Sequence, residues 1–545
     1  MTTYISRKTK VFNSKIFRDS FKETTPRKIG YIFLSKSSEY EDENVAPNLV
    51  DNVRQEKEIW DNMILGKRIV PKDVELVLPL QTWKFNTVYK QYDDTSNLDS
   101  LLVISERTDQ NGQSSDDSNV YPMYVRNSEG NVYKCLSNTS SFGSLVEPTG
   151  TYTQNGGFIQ TELNETGNYL WKYMYNVKDS NKFYTDDFSN KWIPVPYIQA
   201  NTNFDDYNYN TSNLIEGSLN KIIVTNPGSN YYHTNINVAA FSAGSNTLTI
   251  LDDIDLTTSN TIEVNMAVSG NGIYANETYI TTINSIQPKI LYLSQPTVGP
   301  GGGTSSVNLI NIKTRVVIDG EGSNTVTDVI LSNTGISRID VTTVGVGYVR
   351  ANVIIYGSGS NATARAVLPP KFGHGHNPAM ELGASNVMIL SRIGEVDATE
   401  NDTIPTDIYF RQYGLLINPY KYNDSDAMSE TNALDVILQT LSVELLSFSN
   451  FTVNEMVYQG NLNNPDFIGY VVSQKDNVVE LNNVYKQPIL GKLIVGSSSG
   501  NQSVVVSYEN PDLKPYAGDI IYGKNILKIQ RSVAQAEEVK FVFQF

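Results

Sequence analysis

Apolar residues along this chain recur mostly at every second position in short runs, the spacing of half-buried strands, and only rarely at helical spacing. Residues 29–35 (IGYIFLS) and 74–79 (VELVLP) read as strands, and the blocks 121–125, 132–136 and 169–177 continue the pattern. Between them, residues 52–65 place Val53, Trp60 and Ile64 along one face, which predicts a short helix anchored by Trp60 and Met63. Tyr169, Trp171, Tyr173 and Tyr175 alternate strictly and share one face of a strand. With Trp60, this aromatic stripe is read as core or as a subunit interface rather than as a sugar platform.

From about residue 201 to 370 the helix formers fall out of register, and short Val/Ile/Thr runs alternate with Gly, Asn and Ser. This stretch holds an internal repeat. Residues 219–232 (LNKIIVTNPGSNYY) align with 336–349 (ISRIDVTTVGVGYV) at an offset of 117, matching Ile222 with Ile339, Gly228 with Gly345 and Tyr231 with Tyr348. The shared form is a strand, a Gly-containing turn and an aromatic residue opening a return strand, which predicts two related β-hairpins closed by a strand at 362–367. Residues 434–509 give four further strands, beginning at 451–459, that fit a small barrel or sandwich. The apolar finish, 539–545, is expected to be buried in a sheet, because a free edge of that kind invites aggregation.

Composition narrows the function classes. A length of 545 residues suggests about three domains, and 40% hydrophobic residues are ample for cores. The net charge of −16 opposes general attraction to nucleic acid. No apolar core of a signal peptide follows the first residues, and no run approaches a membrane span of about 18 apolar residues. The expectation is a soluble protein made in a cytoplasm, with neither nucleic acid nor membrane as partner.

Chemistry is sparse. One Cys cannot form an internal disulfide, and three His leave little for a metal or general-base centre. His374 and His376 could ligate a metal, with Glu381 the nearest carboxylate, but further ligands are wanting, and the segment reads as a turn set by Gly373, Gly375 and Pro378. The glycine run 299–304 has no lysine inside it and no helix pattern after it, so it reads as a turn rather than a phosphate loop. The acidic clusters Asp186–Asp187, Asp205–Asp206 and 252–255 lack the ligand spacing of a calcium loop. Cys135 lies in a strand without a neighbouring base, and no Gly-x-Ser-x-Gly elbow occurs. The residues predict no enzyme, no cofactor and no metal.

Two regions together resemble a known family. They are 31–34 (YIFL), 60–63 (WDNM), 74–79, Trp83, 133–138 (YKCLSN) and 169–175 (YLWKYMY), then 410–412 (FRQ), 417–419 (INP), 518–522 (GDIIY) and 536–543 (AEEVKFVF). In this order they resemble the eighth-gene baseplate wedge subunits of T-even-like contractile-tailed phages. The likeness covers about residues 1–200, 373–425 and 511–545. Composition favours a mainly β fold with a few helices; the resemblance implies a β-sandwich core with flanking helices, made discontinuous by the segments 201–372 and 426–510, which the family pattern lacks and which read as inserted β-domains. It further implies a virion structural protein without catalytic residues, assembled in the host bacterial cytoplasm and placed in the tail baseplate. There it would form a homodimer and touch other wedge proteins, and its rearrangement would be coupled to sheath contraction. The rival expectation is a host-surface protein whose inserted β-domains bind glycan or receptor through Tyr-rich loops such as 206–209.

Overall fold

A computed structural model describes the chain except residues 1–4, 23–27, 106–118, 139–142, 152–157, 165–166, 188–189, 198–213, 237–238, 252, 255, 257–260, 275–277, 287–288, 299–309, 395–404, 406 and 533–534. The fold is mainly β with four helices among the described residues. It divides into two compact units, residues 1–78 with 384–545, and residues 79–383. The composition changes used above fall elsewhere, at 200/201 and 372/373, because composition follows local strand density and compactness follows which strands pack together.

In the discontinuous unit, five antiparallel strands lie in the order Val436–Leu438, Met63–Ile69, Gly30–Ser35, Ile408–Ile417 and Asp519–Arg531. All six residues of Gly30–Ser35 are buried, as its nearly continuous apolar run requires of a central strand. A second sheet orders Val74–Pro79, Asn386–Ile393 and Glu537–Gln544. The sheets meet through aromatic rings: Phe541 lies 5.6 Å from Tyr413 and 5.2 Å from Tyr522.

Helix α1, Arg7–Lys22, buries Val11, Ser14, Arg18 and Phe21 and sets Phe17 against Phe543 and Phe545. Helix α2, Val53–Asn62, starts where the Asn52 side chain accepts from the Gln55 N–H at 2.9 Å. It packs Ile59 and Trp60 with Tyr31, Phe33 and Leu416. It is shorter than the 52–65 expectation because Met63 is already extended and opens a strand. Helix α1 was not anticipated: its inward face carries Ser14 and Arg18 beside Val11 and Phe21, so it does not read as an apolar stripe.

Within residues 426–510, six strands from Leu441–Leu445 to Gln502–Glu509 close into a barrel filled by Val443, Phe467, Val471, Leu481 and Val505. Its second strand is Met456–Asn461 rather than 451–459; Phe451 precedes it yet still enters the core. The terminal strand also departs from expectation. Among the described residues, Glu537–Gln544 pairs only with Asn386–Ile393, so it is a sheet edge with Val542 exposed; its inward rings pack, but its outer backbone side has no strand.

In the unit 79–383, an antiparallel sheet orders Tyr124–Arg126, Asn131–Asn138, Gly167–Asn176 and Phe158–Asn164. The 117-residue repeat has a spatial counterpart: Ile222 and Ile339 sit directly opposite each other on neighbouring antiparallel strands. The relation is two-fold. Ile336 N–H donates to Pro227 O and Leu219 N–H to Val344 O, both at 2.8 Å, while Tyr231 N–H donates to Thr334 O and Tyr348 N–H to Gly217 O. Gly228 and Gly345 share φ +63°, a left-handed turn that a side chain strains.

The return strands do not pair back as hairpins. Each repeat strand takes its partner from a second repeated segment, 315–329 and 352–366, at an offset of 37 (Gly320 to Gly357). Ile222 pairs with Ala366 as Ile339 pairs with Val329. The eight buried residues of this core form four related pairs: Leu219/Ile336, Ile222/Ile339, Tyr231/Tyr348 and Val329/Ala366. Tyr231 lies over Gly357 and Gly359, and Tyr348 over Gly322, where any Cβ would collide with a ring; at Gly320 it would strike the Arg350 carbonyl oxygen first. Between the first repeat segment and the rest, residues 236–312 build a separate core around Leu248, Met266, Ile280 and Leu291.

Candidate functional site

The most concentrated chemistry lies under the strand Asn131–Asn138. Alternation sends Tyr133 and Cys135 to an aromatic cluster, so Lys134 points to the other face. Lys172 stands directly across from it on Gly167–Asn176, and two ammonium groups side by side would repel. The carboxylate that answers them comes from residues 373–381. Gly373 (φ +91°) and Gly375 (φ +87°) turn the chain back, and Asn377 caps the short helix Pro378–Glu381 by accepting from Met380 N–H.

Glu381 then reaches Lys134 at 2.9 Å and accepts the Gly375 and Asn377 N–H groups at 2.8 and 3.3 Å. His374 Nδ1 lies 3.2 Å from Lys134 Nζ and 3.8 Å from Glu381 Oε2. The Tyr92 ring meets His374 edge-on at 4.9 Å and carries the Lys134 ammonium over its face at 4.0 Å.

The charges follow from this geometry. Burial works to raise the Glu381 pKa, but Lys134 and His374 together outweigh it and hold it at about 2. Burial, reinforced by the neighbouring Lys134, lowers His374 to about 4, so the imidazole is neutral near pH 7 and its Nδ1 accepts from the lysine. Burial lowers Lys134 against the pull of Glu381, and lowers Lys172 to about 8. The cluster is therefore an ion pair with a neutral imidazole, closed from water: Lys134, Glu381 and His374 are all buried. Its chemical effect is to fix the segment 373–381 onto the sheet. Two ammonium groups beside one carboxylate repel a cation, and His376 lies apart, partly exposed, its ring tilted against Phe372.

A second clamp lies in the other unit. The guanidinium of buried Arg411 grips Glu43 through Nε at 2.8 Å and Nη2 at 2.7 Å and donates through Nη1 to Ser37 O. Glu43 also accepts from Tyr40 N–H at 2.7 Å, so one bidentate pair orders residues 37–43.

The singled-out aromatics lie in the chain's own interior. Trp60 belongs to the core under α2; Tyr169, Trp171 and Tyr173 pack with Tyr89, Val125, Tyr133 and Ile159. A bulge opposite Val132/Tyr133 interrupts the alternation, and Tyr175, though fully buried, falls outside that cluster. Cys135 sits among these rings, and burial pushes its thiol up to about 12, away from the reactive thiolate. Asp186 is exposed and paired with Lys191; residues 205–206, 206–209 and 299–304 lie outside the described residues, as do Asp252 and Asp255. Among the described residues, no group of three His, Cys, Asp or Glu converges.

Lys134 and Lys172 were the functional side chains that motif reading passed over. Their signal was a lone charge inside each of two apolar strands, Val-Tyr-Lys-Cys-Leu and Leu-Trp-Lys-Tyr-Met. The chain matches no known family model and no curated protein sequence.

Proposed function

We propose that this chain is a structural subunit of a contractile phage tail, a baseplate wedge protein that works by holding interfaces rather than by catalysis. It assembles in the host cytoplasm, pairs with a second copy and joins other wedge proteins. The observation that carries this reading is the position of the last two strands. Asp519–Arg531 and Glu537–Gln544 each end a sheet, with one strand neighbour among the described residues, and expose Ile521, Leu527 and Val542. Edge strands this long and apolar favour pairing with another chain. The ordered resemblance to wedge subunits reaches these same strands, and the two ionic clamps, one of them fully buried, suit a part that must stay rigid under load.

The test is sedimentation velocity of the purified full chain, alone and mixed with the other tail proteins of its particle. The expected result is a dimer that enters a wedge complex, with Val542→Lys together with Leu527→Asp weakening the assembly. A monomer that never joins tail proteins overturns the reading, and binding to host envelope without co-assembly replaces it with receptor recognition.

A further inference from the structure

A strap without helix or strand, residues 37–51, runs from the central strand Gly30–Ser35 toward helix α2 and lies against the edge strand Asp519–Arg531. Polar contacts hold it. Besides the Glu43–Arg411 pair, Asn525 Nδ2 donates to Pro47 O at 2.8 Å. Its apolar side chains contribute little: Leu49 covers Gly523, but Val45 and Val50 are 61% and 62% exposed. No helix or strand has to unfold for the strap to lift.

The edge strand is broken where the strap reaches it. Its register against Ile408–Ile417 passes from Gln412 opposite Asn525 to Phe410 opposite Ile529, which leaves Arg411 facing three residues, Ile526, Leu527 and Lys528. Tyr40 enters this bulge. Its hydroxyl donates to Arg411 O at 2.6 Å and accepts from Ile526 N–H. The register before the break, carried one residue further, would set Arg411 opposite Ile526. The Tyr40 hydroxyl therefore bridges the two groups that a regular ladder would join directly. Because the strand carries two surplus residues, a full side-chain period, a continuous ladder would turn no side chain over.

We propose that residues 37–51 are a latch on an association edge. Tyr40, with the Glu43–Arg411 pair behind it, holds Asp519–Arg531 bulged at residues 526–528, and a strand of another chain can run along the whole edge only after the strap lifts. A bulge interrupts the even row of outward N–H and C=O groups that an added strand needs, which blunts an exposed edge. Glu537–Gln544 pairs with Asn386–Ile393 without a register shift, so of these two edges only Asp519–Arg531 carries the control. The inference rests on the wedge reading only in taking these strands as association edges.

The test compares the purified full chain with Tyr40→Phe, which removes the bridging hydroxyl and keeps the ring. Amide hydrogen exchange is read at residues 526–528, and sedimentation velocity reads association. The expected result is exchange about tenfold faster at Ile526, the scale of one lost hydrogen bond, together with a shift to species larger than the parent's. Adding Leu527→Asp, at an exposed position on the bulge, abolishes that shift. Should Tyr40→Phe not fold, Glu43→Gln, which keeps the outline of the latch and removes its charge, carries the same readouts.

Association equal to the parent's overturns the proposal even if exchange quickens, since Tyr40 is then only a structural tie. Enlarged species that Leu527→Asp leaves unchanged overturn it too, because the new contact lies elsewhere. Both comparisons are made on the isolated chain, so their outcome does not depend on whether the chain joins tail proteins; failure to join them counts against the wedge reading alone.

Discussion

Replacing Lys134 with Met tests the buried network at its centre. The substitution keeps most of the side-chain volume but removes the ammonium held 2.9 Å from Glu381 and 3.2 Å from His374. The Glu381 carboxylate then stays buried with the Gly375 and Asn377 N–H groups as its remaining close donors. Stranding one charge of a buried pair costs about 3 to 5 kcal/mol, with the nearby Lys172 favouring the lower end. At about 2 °C per kcal/mol for a unit of this size, the thermal transition of residues 79–383 should fall by about 6 to 10 °C.

The pH dependence makes the reasoning specific. With Lys134, the folded-state pKa of Glu381 is depressed, so its contribution is present above the unfolded value of 4.5 and lost as pH falls toward 2. Without Lys134, burial is the largest remaining influence and raises that pKa, so the carboxyl can escape the penalty by taking a proton. The gap between variant and parent should therefore narrow from pH 7 to pH 5. A Lys134→Met/Glu381→Met double variant should lose several kcal/mol less than the two single losses combined. Scanning fluorimetry at both pH values reads all three proteins; simple additivity, or a gap that widens in acid, would refute the argument.

Three further outcomes follow from the same structure. His374 is neutral in the fold, with its pKa lowered to about 4 from 6.5, so unfolded chains bind the extra proton between those values. Stability should decline as pH drops through that window, and His374→Asn should flatten this part of a melting-temperature profile. Gly322→Ala and Gly359→Ala each drive a methyl into a tyrosine ring, Tyr348 and Tyr231 respectively. Each should cost about 1 to 3 kcal/mol, and the two-fold relation requires similar losses in chemical denaturation; a large loss at one and none at the other would contradict the symmetry. Cys135 should resist thiol reagents in the native protein and react fully after denaturation, as counted by intact mass; rapid native labelling would mean the aromatic cluster opens.

Much of the strand content was legible because period-two alternation depends only on which face of a strand meets the core. The central strand Gly30–Ser35 was legible as a continuous apolar run, and the helix at Trp60 from three- and four-residue spacing. Helix α1 was missed because two of its inward positions, Ser14 and Arg18, are polar, so its buried face does not read as an apolar stripe. The repeat at an offset of 117 was visible, but the nearest strand in sequence was taken as the pairing partner. The chain instead exchanges partners between the two copies through 315–329 and 352–366: the pairing of Ser323–Ser332 with Gly335–Val346 is a local hairpin turned at Asn333 and Thr334, both at positive φ, whereas that of Ile222–Asn226 with Thr363–Ala366 joins strands remote in sequence.

The terminal strand was expected to be buried in a sheet because a free apolar edge invites aggregation, yet it forms an edge, its inward rings packed and its outer backbone side without a strand among the described residues. The site itself was half readable: Gly373, Gly375 and Glu381 were noticed as a turn and a carboxylate. Lys134 and Lys172 could be joined to them only by a register spanning 38 residues of sequence, from 134 to 172, and a contact spanning far more.

The central claim, that the chain is an interface-holding part of a tail baseplate, is tested most directly by a cryo-EM reconstruction of the assembled particle that encodes it. The expected density places the chain in every wedge as pairs of copies, with Asp519–Arg531 or Glu537–Gln544 covered by a neighbouring chain. Density for this chain only at a fibre tip or on the host envelope, with both edge strands facing solvent, would contradict it.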